Sequence, residues 1–218
     1  MAGRDSLPAR GPSLAVGPEG TVHLAWATGG SASADLRYAR SSDRGQSFSA
    51  PTIVAASNGH SDAPSLSVDR TGALHLAYVE RPSSSKADYH LRYARRAPTA
   101  DSFRASTRMI SEGAGTVAGR HYPTLRIGPS GTRVVLWERF PSWRRRPQGL
   151  GIVLSRSGRQ SFSAPSVVPH SADATGFNGS QQGLLAGKIS VNDRGEVAVV
   201  NSTFDRGDTS SIWLYRGR

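Results

Sequence analysis

Cysteine is absent from the 218-residue chain, and the only lysines are Lys86 and Lys188. The absence of cysteine excludes disulfide bridges, thiolate metal sites and cysteine nucleophiles. No apolar run approaches the roughly 20 residues that a membrane-spanning helix needs, and no stretch shows the apolar spacing of an amphipathic helix. The chain does contain 24 glycines and 13 prolines. That composition is typical of short strands joined by turns.

Acidic residues are few relative to basic ones, and the formal net charge is +11. A basic surface raises the affinity for polyanions such as acidic glycans or nucleic acids. A GC-rich genome, which enriches arginine together with alanine, glycine and proline, would produce the same composition. No nucleic-acid-binding motif accompanies the arginines. The charge therefore favours an acidic glycan over nucleic acid as a partner.

A repeat organises the chain, with a period of about 50 to 65 residues. Each of four aligned segments starts with a short alternating strand, then has a tight turn that ends in glycine, and continues in a second apolar strand. The four turn glycines are Gly20, Gly72, Gly131 and Gly195. A third strand follows in every segment and a fourth in the first three. Four antiparallel strands per repeat is the layout of a propeller blade.

The sequence therefore predicts an all-β fold, a β-propeller of about four four-stranded antiparallel blades in a single domain over residues 1–218. The predicted blades span approximately residues 11–55, 63–111, 122–169 and 186–218, and residues 1–10 are candidates to close the last blade. Two alternatives stay open: a complete small ring, or a section of a larger propeller. Since an open ring would leave unpaired edges, which soluble proteins avoid, the second alternative predicts self-assembly.

The turn between the third and fourth strands of the first repeat carries a motif, Ser-Ser-Asp-Arg-Gly-Gln-Ser-Phe, over residues 41–48. It resembles the Asp-box, S-x-D-x-G-x-x-[FW], of the sialidase-like (BNR) β-propeller superfamily. Asp43 is suited to accept hydrogen bonds from turn amides, and Gly45 to take a positive φ. The matching residues are Ser41, Asp43, Gly45 and Phe48, and an eroded copy in the third repeat keeps Ser155 and Phe162.

The resemblance implies a fold and not an activity, because the boxes of this family are structural. With one intact box, the chain is identified as a non-catalytic or partial member of the superfamily. The resemblance favours a secreted or cell-surface location. The segment from Met1 to Arg10 shows no signal-peptide pattern, so the compartment is left open.

Ligands of propellers usually bind on the face formed by the strand 2–3 loops and the loops between blades. Trp143 is suited to stack on a sugar ring, and the arginines to pair with carboxylate or sulfate. The alternative is structural, with an aromatic packed on a blade and solvated arginines. The first interpretation predicts a carbohydrate- or protein-binding module without a cofactor. Its candidate ligand-binding residues are Asp62, Glu80, Arg81, Arg120, His121, Glu138, Arg139, Trp143, Arg144 and Arg145.

Two other functions stay open at this point. The resemblance implies that an exo-sialidase would need three arginines around the sugar carboxylate, a Tyr–Glu nucleophile pair and an Asp acid. No spacing in the chain marks such a set, so the sequence favours a protein that is not an enzyme. A structural propeller segment of a larger surface protein is the third reading. The histidines lack metal-ligand spacing, so no metal site is expected.

Overall fold

The structure of the protein, a computed structural model, describes residues 7–30, 32–55, 59–82, 89–105, 107–108, 122–139, 149–159, 161–171, 177–178, 188–204 and 210–217. Within these residues the secondary structure is β, apart from one 3-10 turn at Pro18–Gly20. The all-β prediction is confirmed. The chain forms two compact units, Met1–Met109 and Ile110–Arg218.

The first unit contains two four-stranded antiparallel meanders. The first sheet consists of β1 (Ala9–Val16), β2 (Val22–Gly29), β3 (Ala34–Ser41) and β4 (Thr52–Ala55). The second sheet consists of β5 (His60–Val68), β6 (Leu74–Arg81), β7 (His90–Arg96) and β8 (Thr107–Arg108). A single parallel pairing, Ala34 with His60, joins the two sheets through β3 and β5.

The second unit also contains two antiparallel sheets. The third sheet is a meander of β9 (Thr124–Ile127), β10 (Arg133–Glu138), β11 (Leu150–Ser155) and β12 (Ser166–Val167). The fourth sheet consists of β13 (Phe177–Asn178), β14 (Ile189–Val191), β15 (Val197–Phe204) and β16 (Ser210–Gly217). Strand β15 lies at its centre, pairing with β13 and β14 on one side and with β16 on the other.

The tight turns recur with the same geometry in all four sheets. Each turn glycine has a positive φ of 75° to 84° and donates its amide hydrogen to the carbonyl oxygen three residues earlier. A side chain at such a φ would be strained, so glycine is the residue that lets the chain reverse here. We call the end of each sheet that carries these turns the turn edge, and the opposite end, where the second strand leads to the third, the loop edge.

Each unit has its own apolar core. In the first unit, residues of the first sheet such as Leu36 and Tyr38 pack on residues of the second sheet such as Leu66 and Leu76. In the second unit, Leu136 and Ile152 of the third sheet pack on residues of the fourth, including Ile189. The strands bury large aliphatic side chains on the faces that meet, which is the arrangement expected of stacked sheets.

The Asp-box of the first sheet closes its turn with side-chain hydrogen bonds. The Ser41 hydroxyl donates to Asp43 Oδ1 at 2.6 Å and accepts from the Gly45 amide at 2.7 Å. Asp43 also accepts from the backbone amide and the hydroxyl of Ser47, at 2.9 and 2.5 Å. The hydrogen bond from Ser41, followed by those from Ser47, holds the pKa of Asp43 well below its usual range. Gly45 has φ +92°, and Phe48 is half-buried.

The eroded box of the third sheet is held in a different way. Ser157 stands where the first box has Asp43, and Arg133 of β10 bridges the turn instead. Its guanidinium donates to Ser155 Oγ at 2.6 Å and to the Arg159 carbonyl oxygen, and it lies 5.4 Å from the centre of the Phe162 ring. Apolar Val22 and Leu74 occupy the corresponding positions of β2 and β6. The Arg133 guanidinium thus cross-links the residues of this turn by hydrogen bonds, as the Asp43 carboxylate does in the first box.

Candidate functional site

Arg10 is the centre of a polar network at the loop edge of the first unit. Its Nε donates to Asp62 Oδ2 at 2.9 Å, and one terminal nitrogen donates to the Gly29 carbonyl oxygen at 2.6 Å. The other terminal nitrogen lies 2.7 Å from His60 Nε2. Because a guanidinium has no acceptor, His60 Nε2 must accept this hydrogen bond, which fixes that ring nitrogen as the unprotonated one. The network joins β1 of the first sheet to β5 of the second.

Arg10 and Asp62 occupy equivalent places in the repeat. Each precedes a shift in strand register, between Arg10 and Ser13 in β1 and between Asp62 and Ser65 in β5. Such a bulge redirects the side chain before it, and here it brings opposite charges together. Neither Arg10 nor His60 was among the ligand-binding residues predicted from the sequence. The sequence pattern that could have predicted the contact of Arg10 with Asp62 is a pair of opposite charges, each two residues before a repeated proline, Pro12 or Pro64.

The loop edge of the second sheet adds an ion pair and a cation–π contact. Arg92 of β7 contacts Glu80 Oε2 through Nε at 2.6 Å and through a terminal nitrogen at 2.5 Å. The Arg81 guanidinium lies 5.8 Å from the centre of the Tyr89 ring. The predicted candidates Glu80 and Arg81, adjacent in sequence, therefore contact different partners, and neither Arg92 nor Tyr89 was among the candidates. Three arginines and two carboxylates thus share the loop edge of this unit.

Glu138, at the end of β10 in the second unit, is fully buried. Trp137 pairs with Gly151 as Tyr78 pairs with Arg92, so Glu138 corresponds to the apolar Val79 and not to Glu80. This offset of one residue sends the two glutamates to opposite faces of their sheets. Glu138 therefore occupies a position that is apolar in the second sheet.

Lys188 and Asn201 lie near Glu138 in the second unit. Lys188 Nζ donates to the buried Asn201 Oδ1 at 2.6 Å. Burial lowers the pKa of Lys188, and the negative charge of Glu138 partly opposes that shift. The second unit thus holds a fully buried carboxyl group, Glu138, near a half-buried amine, Lys188.

The remaining predicted residues are less informative. Arg139 is half-buried, and its backbone amide donates to the Gly149 carbonyl oxygen at 3.0 Å. The other five candidates, which include the aromatic one, fall outside the described residues: Arg120, His121, Trp143, Arg144 and Arg145. In the described part of the chain, no three His, Cys, Asp or Glu residues are grouped so as to hold a metal ion.

The loop edge of the first unit has the chemistry of a polar ligand site. Its guanidinium groups donate hydrogen bonds, its carboxylates accept them, and Tyr89 offers a ring. Arg10 and Asp62 keep 33% and 19% of their side chains exposed, and Arg92 and Glu80 keep 27% and 12%. These groups are therefore held in place by one another and still reach solvent.

Among the described residues there is no helix long and apolar enough to cross a bilayer.

No protein-family model matches the chain, and no curated protein matches it. Solved structures do. A protein of unknown function from Dyadobacter fermentans matches with a TM-score of 0.71 and 13% identity over 99% of the chain. A Hadza microbial sialidase matches with a TM-score of 0.64 and 15% identity over 95%. A PL25 ulvan lyase, solved with -[GlcA(1-4)Rha3S]-, matches with a TM-score of 0.64 and 11% identity over 94%.

The chain spans 67%, 44% and 55% of the lengths of these three structures, respectively. At these identities the likeness establishes the fold alone. The matching structures, which also include arabinanases, are β-propellers, and the described strands follow the same kind of fold. The prediction of a β-propeller is confirmed at this level, while the number of blades and the closure of the ring stay predictions.

Proposed function

We propose that the protein is a carbohydrate-binding β-propeller module of the sialidase-like kind, with its ligand at the loop edge of the first unit. The observation that carries this proposal is the network around Arg10, which joins two sheets. The Glu80–Arg92 ion pair lies at the loop edge of the same unit. The proposal also draws support from the matching structures, which include a sialidase, a polysaccharide lyase and an arabinanase.

The edge suits a sugar because a sugar hydroxyl both donates and accepts hydrogen bonds. Donors and acceptors stand side by side here: Arg92 beside Glu80, and Arg10 beside Asp62. A guanidinium has five N–H donors, and the contacts of Arg92 with Glu80 use two of them. Of the five ionised groups at the edge, three are cationic, so an oligosaccharide with carboxylate or sulfate groups fits better than a neutral one.

The same geometry supports binding over hydrolysis by the sialidase mechanism. In that mechanism three arginines converge on the carboxylate of the substrate. Arg10 and Arg92 each pair with a carboxylate of the protein itself, at 2.9 and 2.5 Å, so each has only some of its N–H donors left for a substrate carboxylate. One observation favours a second candidate, a glycoside hydrolase that uses another site: Glu138 is a buried carboxyl group, and burial is what suits such a group to act as a general acid.

The test is titration calorimetry with three probes: sialyllactose, a sulfated glucuronan oligosaccharide and arabinohexaose. We expect the two acidic probes to bind, and Arg92→Gln to weaken their binding at least about tenfold, the loss of roughly one charge-assisted hydrogen bond. The matched control is Arg70→Gln, which removes the same charge from an exposed position at the turn edge of the same sheet. Circular dichroism melts show whether either variant is folded.

Three results would contradict this proposal. Binding of none of the probes would favour a structural propeller segment or a protein ligand. Equal weakening of probe binding by Arg92→Gln and Arg70→Gln would show that the acidic probes are attracted nonspecifically by the net charge of the protein. Cleavage of a fluorogenic sialoside that Glu138→Gln abolishes would replace binding by catalysis.

A further inference from the structure

An apolar surface covers one face of the fourth sheet. Val200, Ile212 and Leu214 are 37%, 81% and 58% exposed. Val200 pairs with Leu214 across β15 and β16, and Ile212 lies two residues from Leu214 on the same strand. Because side chains alternate along a strand, all three point to the same side of the sheet. We call this surface the fourth-sheet face.

The equivalent positions of the other sheets are buried. Counted from the turn glycine and along the strand pairs, these are Ala25, Leu36 and Tyr38 in the first sheet, where they are 0%, 0% and 4% exposed. In the third sheet they are Leu136, Leu150 and Ile152, at 0%, 0% and 4%. In both sheets these residues form the surface that packs on the next sheet in the chain. The fourth sheet presents this same surface to solvent.

The first sheet has a second apolar surface of the opposite kind. Leu14 and Val16 of β1 are 58% and 57% exposed, and we call this surface the first-sheet face. The equivalents of Leu14 are Leu66 in the second sheet and Ile189 in the fourth, which are only 3% and 6% exposed. Leu66 and Ile189 are buried because the preceding sheet of the same unit packs on them.

The two exposed faces are therefore the two halves of one repeated contact. Each unit contains that contact once: the Leu36 side of the first sheet on Leu66, and the Leu150 side of the third sheet on Ile189. We propose that a second copy of the chain supplies the missing half, with the fourth-sheet face of one copy packed on the first-sheet face of the next. This association is head-to-tail, because different surfaces of the two copies meet.

A cleft beside the fourth-sheet face offers room for a partner side chain. It has a volume of about 540 Å³, and its lining includes Ala198 and Arg216. Ala198 is two residues before Val200, and Arg216 is two residues after Leu214, so the cleft continues the same face. At the position of Ala198 the first two sheets carry the buried histidines His23 and His75. The small side chain of Ala198 leaves this space in the fourth sheet.

Measurement of mass in solution tests the proposal. Sedimentation equilibrium of the full chain should give species heavier than the 23.1 kDa monomer, increasing with concentration. Leu14→Glu alters the first-sheet face, and Ile212→Glu alters the fourth-sheet face. Each variant alone should be monomeric, with the dissociation constant raised about tenfold to a hundredfold, as expected when one large apolar side chain no longer buries its surface. Both positions are exposed, so neither change should unfold the chain.

Mixing the two variants gives the decisive result. The Leu14→Glu chain keeps an intact fourth-sheet face and the Ile212→Glu chain an intact first-sheet face, so a head-to-tail contact predicts a one-to-one dimer in the mixture. Val167→Glu is the matched control, because it places the same charge on an exposed apolar residue of β12 and should associate like the unaltered chain. A monomeric unaltered chain would overturn the proposal, as would a Leu14→Glu variant that still forms dimers alone, since that would mean that like faces meet.

Discussion

Acidification should destabilise the first unit through His23. Its ring is 7% exposed, and its Nδ1 lies 2.8 Å from the Tyr38 hydroxyl. Burial, followed by the positive charges of Arg96 and Arg40, lowers the pKa of His23 from 6.5 to about 4. Below pH 6.5 the unfolded chain takes up a proton that the folded chain excludes until about pH 4. The associated stability is therefore complete above pH 6.5 and is lost as the pH falls towards 4.

The magnitude follows from the difference between the two pKa values. At 1.36 kcal/mol per pKa unit, a fall from 6.5 to about 4 corresponds to about 3 kcal/mol as an upper bound. Most of this free energy of unfolding should disappear between pH 7 and pH 4.5. A loss of that size is a large part of the stability of a small domain, which is about 5 to 15 kcal/mol.

Urea denaturation at a series of pH values, with hydrogen exchange of β2 and β3 to assign the transition, measures the effect. His23→Gln should cost about 1 kcal/mol at pH 7 by weakening the contact with Tyr38, and then lose much less than the unaltered chain on acidification. His75 is the matched control: its ring contacts Tyr93 in the same way, at 2.6 Å, but its Nε2 faces the Asp69 carboxylate at 2.9 Å. If His23→Gln loses stability as steeply as the unaltered chain, the reasoning is wrong.

Two further predictions concern the turns and the sheet packing. Asp43→Ala should lower the thermal midpoint at pH 7, and this effect should shrink as the pH falls below the ordinary pKa of an aspartate, because the unfolded chain then takes up a proton that the hydrogen-bonded Asp43 excludes. Ser157→Ala, at the equivalent place, should have little effect at neutral or acidic pH, and equal effects of the two variants would contradict a role for the carboxylate. Gly151→Ala should destabilise the second unit by about 1–3 kcal/mol or more, because a methyl group there would overlap the buried Trp137 ring. The control is Gly30→Ala, where a methyl group meets open space, and calorimetry that finds the two variants equally stable would refute the packing argument.

The features that could be predicted from the sequence are local ones. The turn at Gly72 needs only a glycine and its neighbours, and the alternation of β6 is visible in its own residues. The motif around Asp43 is equally local, since the Asp43 carboxylate accepts its hydrogen bonds from Ser41, Gln46 and Ser47. Because these short-range patterns recur in four repeats, the all-β fold and the β-propeller class could be predicted without coordinates.

The loop-edge site depends on contacts that no short window contains. Arg10 and Asp62 are 52 residues apart, and they meet because two bulged strands from adjacent sheets run side by side. The resemblance between Glu80 and Glu138 was misleading for a related reason. Each precedes an arginine, but only the pairing of Trp137 with Gly151 reveals that they differ by one position in register.

The sequence by itself determined the period of the repeat, the place of its turns and the alternation of its strands, because each depends on the conformational preferences of a few consecutive residues. It also placed Leu14 and Ile212 in strands that carry apolar residues at the same positions in the other repeats. Only the tertiary structure decided that Leu66 is covered whereas Leu14 and Ile212 are exposed, because burial depends on which sheet stacks on which. The same dependence on stacking placed Arg10 against Asp62 and created the charged edge that we propose as the ligand site.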